Sequence, residues 1–161
     1  MLAFASDAGL CALEFSSNTR LSRLNGRLDR WFAPYEVEDG SNRIVDRAER
    51  WLDEYFSGAG AEVNGLPLDT RGALFEQRVW QALLRIPPGQ TSTYGAIARQ
   101  LGSAGASRAV GLANGANPVA IIVPCHRVIG SNGTLTGYGG GLDRKQWLLD
   151  HEKRWAKNQL F

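Results

Sequence analysis

The sequence contains few of the residues that build disulfide scaffolds or metal centres. Its 161 residues include two cysteines, Cys11 and Cys125, and two histidines, His126 and His151. Two cysteines in a chain of this length exclude a disulfide-stapled fold. No set of cysteines and histidines has the spacing of zinc ligands, so we expect no metal site. Cys11 lies in the apolar run 10–13, which is typical of a buried core residue.

The chain also lacks targeting and membrane signals. Its N-terminus has no positively charged start followed by a long apolar core, which argues against a signal peptide. No apolar run approaches the roughly 18 residues that a membrane-spanning helix needs. We therefore expect a cytoplasmic protein, in a reducing compartment where a free thiol persists, and no membrane partner.

Net charge is small but unevenly distributed. The whole chain carries only +2. Residues 1–85 hold 10 Lys/Arg and 13 Asp/Glu, a net charge of −3, whereas residues 86–161 hold 8 Lys/Arg and 3 Asp/Glu, a net charge of +5. A basic second half suggests contact with a polyanion, although a difference of this size also arises by chance.

The apolar pattern predicts a first part that ends near residue 70. A two-stranded hairpin is predicted over 1–15, and amphipathic helices over about 19–32 and from a cap at Ser41 to Phe56. Pro67 then suits an edge strand or a linker.

The remaining residues predict a mainly helical second part. The predicted helices span 73–85, 94–101, 107–114 and about 143–153, and the tail from Arg154 is expected to be loosely held. Many of the 19 glycines cluster late in the chain, which indicates tight turns or close backbone approaches there.

Two short predicted helices joined by a glycine-bearing turn are typical of a helix-turn-helix. The second of them carries one arginine, Arg108, among alanines and a glycine. Small residues let a helix backbone approach a narrow minor groove, which an inserted arginine also suits. They serve close packing of helices within a core equally well.

The segment around Cys125 predicts a nucleophile. The apolar run 119–123 predicts a buried strand that ends at Pro124, and His126 follows the cysteine directly. A thiol attacks as the thiolate, which a neighbouring base or positive charge makes available near neutral pH. His126 is therefore the candidate base.

An ordered set of residues carries a family resemblance. It comprises the segments 117–118, 124–128 and 138–142 and the order Tyr94, Arg108, Asn117, Cys125, His126, Tyr138, Glu152. With these residues the chain resembles the O6-alkylguanine-DNA alkyltransferase family, strongly from Phe75 to Glu152.

The resemblance implies an α/β (α+β) fold in two domains. Residues 1–70 would form a small ribonuclease-H-like α/β domain, and residues 71–161 a helical winged-helix-like domain with the helix-turn-helix. It also implies a monomer without cofactor that acts on double-stranded DNA. One alkyl group of O6-alkylguanine, with O4-alkylthymine as a second candidate, would move irreversibly to a cysteine after minor-groove binding and base flipping.

The resemblance assigns the chemistry to five residues. Cys125 is the implied nucleophile, His126 takes its proton through a water, and Glu152 orients the imidazole. Asn117 would tie the turn before the cysteine to the active site. Tyr94 would donate a hydrogen bond to the guanine ring, at N3, as the base departs.

The resemblance also implies binding residues. The carbonyl groups of Cys125 and Val128 would accept from the exocyclic amine of guanine, the N–H of Gly139 would face O6, and Tyr138 and Gly140 would complete the loop around the base. Arg108 would fill the space that the flipped base leaves. The implied DNA contacts are Thr93, Ser107, Arg108, Ala109 and Gly111.

Gly139 departs from the pattern, because some relatives carry serine there, and we expect a wider pocket. Other interpretations stay open. A lesion-binding protein of the same fold would lack the cysteine. A thiol hydrolase using Cys125 and His126 would need an oxyanion site and repeated turnover. A transcription regulator has no support beyond the helix-turn-helix.

Overall fold

The computed structural model describes residues 1–58 and 65–158. Its elements follow the predicted order of a hairpin, two helices and a mainly helical second part. They are β1 (Leu2–Ala5), β2 (Leu10–Glu14), α1 (Asn18–Phe32), α2 (Arg43–Ser57), α3 (Leu74–Leu83), β3 (Ser92–Thr93), α4 (Tyr94–Gln100), α5 (Ser107–Gly115), a 3₁₀ turn (Cys125–Arg127), β4 (Val128–Ile129) and α6 (Leu142–Asn158).

The predicted hairpin is confirmed. β1 and β2 pair antiparallel around the turn 6–9, and every residue of β2 is buried. Full burial follows from contacts on both sides, because α1 and α2 pack against this hairpin. β2 therefore forms the centre of the first part rather than one exposed edge.

The second predicted helix is confirmed as α2, but its N-terminal cap is not the predicted Ser41. The Asn42 side chain, not that of Ser41, accepts from the N–H groups of Ile44 and Val45 at 2.9 and 3.0 Å. The helix ends at Gly58, which adopts the left-handed conformation with φ 82°. Glycine reaches this conformation without the steric cost that a Cβ brings.

The helix-turn-helix is confirmed as two short helices, α4 and α5, that pack against each other and, through α5, against α3. The indole N–H of Trp80 on α3 donates to the Ala113 carbonyl on α5 at 2.8 Å. Trp80 is 2% exposed, so this bond satisfies a donor that would otherwise be buried without a partner.

The strand predicted over 119–123 is wrong. Only Val119 makes a bridge, to Leu13 of β2, and the next residues form a buried turn in which the Val123 N–H donates to the Val119 carbonyl at 3.1 Å. Ile121 has φ 70°, a conformation that costs a branched residue about 1–3 kcal/mol. The run is apolar because it is enclosed by the core, and not because it is extended.

A further expectation about the C-terminal region is corrected. The tail is not loose up to residue 158, because α6 continues there and Trp155 is 5% exposed. The rest of the predicted tail, 159–161, lies outside the described residues.

One apolar core joins the two parts. It contains Leu13, Tyr55, Val79 and Leu148, which come from both ends of the chain. The backbone of Leu13 also exchanges hydrogen bonds with the 118–120 segment, at 2.9 and 2.8 Å. The mixed α/β fold class is confirmed, whereas the ribonuclease-H-like and winged-helix-like forms and the boundary at residue 70 stay predictions.

No helix within the described segments is both long enough and apolar enough to cross a membrane.

Gly58→Ala is expected to destabilise the protein. Alanine at position 58 would have to adopt φ 82°, which L residues rarely do, and its Cβ would lie 3.1 Å from Nε1 of Trp155. The free energy of unfolding should therefore fall by about 1–3 kcal/mol. Gly26→Ala is the matched control, because Gly26 is exposed within α1 and has nothing within 4 Å of its Cβ position. That control should gain about 0.5–1 kcal/mol. Urea unfolding measures both changes, and equal effects would contradict the role of Gly58.

Candidate active site

Cys125 is held at the first position of a 3₁₀ turn, directly after Pro124. Its side chain lies in the core of the protein, and the residue is 7% exposed. The strained Ile121 precedes it by four residues. Strain of this kind persists where packing over-determines the backbone, and it concentrates at functional sites.

Asn117 connects the turn to the sulfur. Its Nδ2 donates to the Val123 carbonyl at 2.8 Å and to Cys125 Sγ at 3.1 Å, while its Oδ1 accepts from the Val119 N–H at 3.0 Å. Asn117 is 3% exposed. One amide therefore fixes the backbone before the cysteine and supplies a donor that strengthens as negative charge develops on sulfur.

The thiol is neutral at rest. Burial raises the pKa of Cys125, and the Asn117 hydrogen bond and the positive charges of Lys145 and Arg20 lower it by less. The sulfur is therefore protonated near neutral pH, where the sequence led us to expect a readily available thiolate. The reason is desolvation, which neighbouring positive charges offset only in part.

His126 lies beside Cys125 along the chain but points to α6. It is fully buried, and its Nε2 lies 2.7 Å from Oε1 of Glu152. The structure thus joins two of the predicted catalytic residues in direct contact, as the sequence led us to expect for an orienting carboxylate.

Glu152 is surrounded by donors and has no exposure to solvent. Besides His126, it accepts from Arg127 Nε and Nη2 at 2.9 Å each, from the Tyr55 hydroxyl at 2.8 Å and from the Gly89 N–H at 3.1 Å. Burial alone would raise the pKa of Glu152, but the hydrogen bonds from His126 and Arg127 outweigh it and lower the pKa to about 2. The carboxylate is therefore ionised.

The tautomer of His126 follows from this partner. Because Glu152 is ionised, the proton of the ring lies on Nε2, which donates to the carboxylate. Nδ1 has no hydrogen-bond partner among the residues that the structure describes. Burial lowers the pKa of His126 despite the opposing effect of Glu152, so the ring is neutral and its Nδ1 lone pair can accept a proton.

A glycine-rich loop closes over the sulfur. Tyr138, Gly139 and Gly140 line a small cavity with Cys125, and its volume of about 20 Å³ holds little more than one water. The Tyr138 hydroxyl is buried without a hydrogen-bond partner in the described part of the chain, and burial raises its pKa. A Cβ on Gly140 would lie 2.7 Å from the Tyr138 ring and 2.8 Å from Phe15, so glycine is required for this close approach.

Two polar side chains near the nucleophile, Lys145 and Asn114, were not predicted from the sequence. Lys145 of α6 is fully buried, and its Nζ donates to the carbonyl groups of Val128 and Thr136 at 2.6 and 2.7 Å. Asn114 of α5 donates from Nδ2 to the Cys125 carbonyl at 3.3 Å. The Val128 carbonyl, expected to bind guanine, accepts from Lys145, and the Cys125 carbonyl, expected to do the same, accepts from both Asn114 and the Val128 N–H. The Cys125 carbonyl therefore already uses both lone pairs.

The helix-turn-helix presents Arg108 on its outer face. Arg108 and Ala109 are exposed, and Arg108 forms no hydrogen bond or ion pair with any described residue. Leu112, one turn further along α5, is 77% exposed. An unpartnered arginine beside an exposed leucine and small residues indicates a surface built to contact another molecule.

The other predicted contact residues lie around these helices. Ser107 begins α5, and Thr93 caps α4, where its hydroxyl accepts from the Ala96 N–H at 3.1 Å. Tyr94 follows the cap, and its ring lies 3.8 Å from the Cβ position of Gly111 on α5. The Tyr94 hydroxyl reaches the Thr136 carbonyl at 3.4 Å, next to the glycine-rich loop. The structure thus brings α4, α5 and this loop together.

Within the described segments, no group of three or more His, Cys, Asp and Glu side chains could hold a metal ion. A buried cysteine, a histidine and a carboxylate lie behind a helix-turn-helix with an exposed arginine. Together they define a DNA-binding protein that carries its own nucleophile.

Known proteins of this class match the chain. Residues 74–154 match the family model described as 6-O-methylguanine DNA methyltransferase, DNA binding domain. The methylated-DNA–protein-cysteine methyltransferase of Mycolicibacterium paratuberculosis is 62% identical over 118 residues, which cover 73% of this chain and 71% of the relative. The Salmonella typhimurium protein of the same name is 60% identical over 101 residues, covering 63% and 59%. The chain therefore belongs to the 6-O-methylguanine DNA methyltransferase family.

Solved structures agree with this assignment. The crystal structure of Mycobacterium tuberculosis OGT in complex with DNA matches with a TM-score of 0.78 and 45% identity, over 95% of this chain and 86% of that chain. The O6-methylguanine-DNA methyltransferase from the archaeon Pyrococcus kodakaraensis matches with a TM-score of 0.73 and 26% identity, over 93% and 88%.

Acidification should remove the stability that Glu152 supplies. Its pKa is lowered from 4.5 in the unfolded chain to about 2 in the fold. The contribution is therefore complete above about pH 4.5 and is lost as the pH falls toward 2, with a total of about 3 kcal/mol. Urea unfolding between pH 2 and pH 7 measures this loss.

Glu152→Gln should flatten that part of the pH profile and should lower stability at pH 7 by about 3–5 kcal/mol, because Arg127 loses its buried countercharge. Asp150→Asn, on the same helix and bonded only to Gln146 among the described residues, is the control. A profile that kept its acid drop in Glu152→Gln would contradict the assignment.

Proposed function

We propose that this protein is a single-turnover DNA-repair transferase that moves the alkyl group of O6-alkylguanine in duplex DNA onto Cys125. The observation that carries the proposal is a pair of contacts, Asn117 with Cys125 and His126 with Glu152, at neighbouring positions behind an exposed helix-turn-helix. Asn117 contacts the sulfur at 3.1 Å, and Glu152 contacts the imidazole at 2.7 Å. O4-alkylthymine remains a second candidate substrate.

The proton of the thiol leaves through His126. Its Nδ1 lone pair is free among the described residues, and we infer that it takes the Cys125 proton through one water. Glu152 then stabilises the imidazolium that forms. The sulfur attacks the alkyl carbon as its bond to O6 breaks, and the electron pair of that bond moves into the guanine ring.

Departure of guanine requires stabilisation of the charge that develops on the ring and a site that recognises the base. Tyr94 donates a hydrogen bond at N3, and the Gly139 N–H faces O6. The Val128 carbonyl accepts from the exocyclic amine, and the Cys125 carbonyl does so in place of its 3.3 Å bond from Asn114. Tyr138 and Gly140 enclose the base. The proton held by His126 then passes through water to the departing guanine, so the net reaction converts thiol and alkylguanine into thioether and guanine. No step regenerates the thiol.

Duplex DNA reaches this site by base flipping. The small residues Ala109 and Gly111 allow α5 to lie in the minor groove, with Thr93 and Ser107 at the adjoining helix starts. Arg108 fills the space that the extruded nucleotide leaves, and unstacking costs a few kcal/mol. Both described cysteines are free thiols, which suits a reducing cytoplasm.

Intact-protein mass spectrometry tests the transfer. Incubation with an O6-methylguanine duplex should add about 14 Da, the mass of one CH₂, to Cys125. Each protein molecule should accept no more than one methyl group, even when the duplex is in excess. Repeated turnover would instead support a thiol hydrolase. Binding without any mass change would support a lesion sensor.

Cys125→Ala should abolish transfer and keep DNA binding, because the sulfur lies behind the surface that contacts DNA. Electrophoretic mobility shifts with the same duplex measure binding. Loss of both properties would contradict the proposed division between the nucleophile and the DNA-binding helix.

Arg108→Ala should slow repair of duplex DNA by at least about tenfold and leave the reaction with free O6-benzylguanine nearly unchanged, because only the duplex needs an extruded base. Arg50→Ala is the control, since Arg50 is an exposed arginine on α2. Single-turnover rates on the two substrates measure the difference. Equal losses on both would remove base flipping from the role of Arg108.

A further inference from the structure

The first part of the chain inserts a cation into the cavity beside the reactive sulfur. Arg20 of α1 lines this cavity together with Cys125 and Gly139. An ideal Cβ built on Gly139 would lie 1.5 Å from Arg20 Nη1. The guanidinium thus occupies the volume that a side chain at this position would fill, and the wider pocket expected from the sequence is not found.

Glu14 fixes the orientation of this guanidinium. Arg20 donates from Nε to Glu14 Oε1 at 2.6 Å and from Nη2 to Oε2 at 2.5 Å. Glu14 is 4% exposed, and the Arg20 side chain is 17% exposed. A buried bidentate pair holds the plane of the guanidinium in one orientation.

One arm of the guanidinium remains available. Nε and Nη2 are used by Glu14, whereas Arg20 Nη1 donates to no residue in the segments 1–58 and 65–158. It lies against Gly139, the residue whose N–H is proposed to face O6. Any group that passes from O6 to the sulfur must therefore pass beside this free donor.

We propose that Arg20 determines specificity by favouring alkyl groups that end in a carboxylate over neutral groups of similar size. This inference rests on the proposed function. The covalent step is unchanged: the carbon–sulfur bond forms as the carbon–O6 bond breaks, and the thiol proton goes to His126 and from there through water to guanine. Tyr94 donates a hydrogen bond to the departing ring. The carboxylate remains on the transferred group and is not consumed.

The physical basis is a charge-assisted hydrogen bond in a poorly solvated cavity. A carboxylate on the alkyl group can accept from Nη1, and such bonds are stronger than those between neutral groups. A neutral alkyl group of the same length leaves Nη1 without a partner. Glu14 balances much of the charge of Arg20 at longer range, so the preference depends on direct contact rather than on long-range attraction.

Single-turnover rates on three duplexes test this inference. The probes carry O6-methylguanine, O6-propylguanine and O6-carboxymethylguanine. In Arg20→Met, the ratio of the carboxymethyl rate to the propyl rate should fall about tenfold relative to the unmodified protein. Methyl transfer should persist in Arg20→Met. If the unmodified protein transferred no methyl group, the proposed function would fail, whereas an unchanged rate ratio would contradict only this inference.

Two further variants protect the test against misfolding. Glu14→Gln combined with Arg20→Met avoids an unpaired buried carboxylate, and Gly139→Ser displaces the guanidinium from the opposite side. Both should lower the same ratio. Arg23→Met, an exposed arginine on the same helix, should leave it unchanged. An unchanged ratio in the Arg20 variants, or an equal slowing of all three substrates, would overturn the proposal.

Discussion

The buried carboxylate of Glu152 is the group on which the rest of the active site depends. Removing such a charge from water costs several kcal/mol, and the fold compensates with donors from Tyr55, Gly89, His126 and Arg127. These donors come from α2, the turn before β3 and the 3₁₀ turn that begins at the nucleophile. A single carboxylate thus fixes the tautomer of the base and joins three distant segments of the chain around α6.

The protected state of the thiol follows from the same burial. A neutral, desolvated thiol reacts slowly with electrophiles in solution, which suits a protein whose nucleophile is consumed in one reaction. Asn117, Lys145 and Arg20 lower the pKa of Cys125 but do not outweigh desolvation. The raised pKa therefore keeps the thiolate scarce until a base takes the proton, which is the role proposed for His126.

Local patterns predicted the secondary structure well where their period was clear. The amphipathic helices and the first hairpin follow from residue spacing, and the structure confirms them. The run 119–123 failed this test because its apolar content has no period. Burial on all sides makes a turn and a strand look alike in sequence, and only the φ of 70° at Ile121 and its neighbouring hydrogen bonds distinguish them.

The sequence by itself determined the helix-turn-helix and the adjacent cysteine and histidine that we propose as nucleophile and base, because each is encoded within a short segment. Only the tertiary structure decided which distant groups surround them. Tyr55 donates to Glu152 across 97 positions of the chain, and the positive charges of Arg20 on α1 and Lys145 on α6 lower the pKa of Cys125. Residue spacing encodes local backbone preference, but contacts of this kind arise from packing of the whole core. For that reason the protonation state of the thiol could not be predicted from the residues beside it.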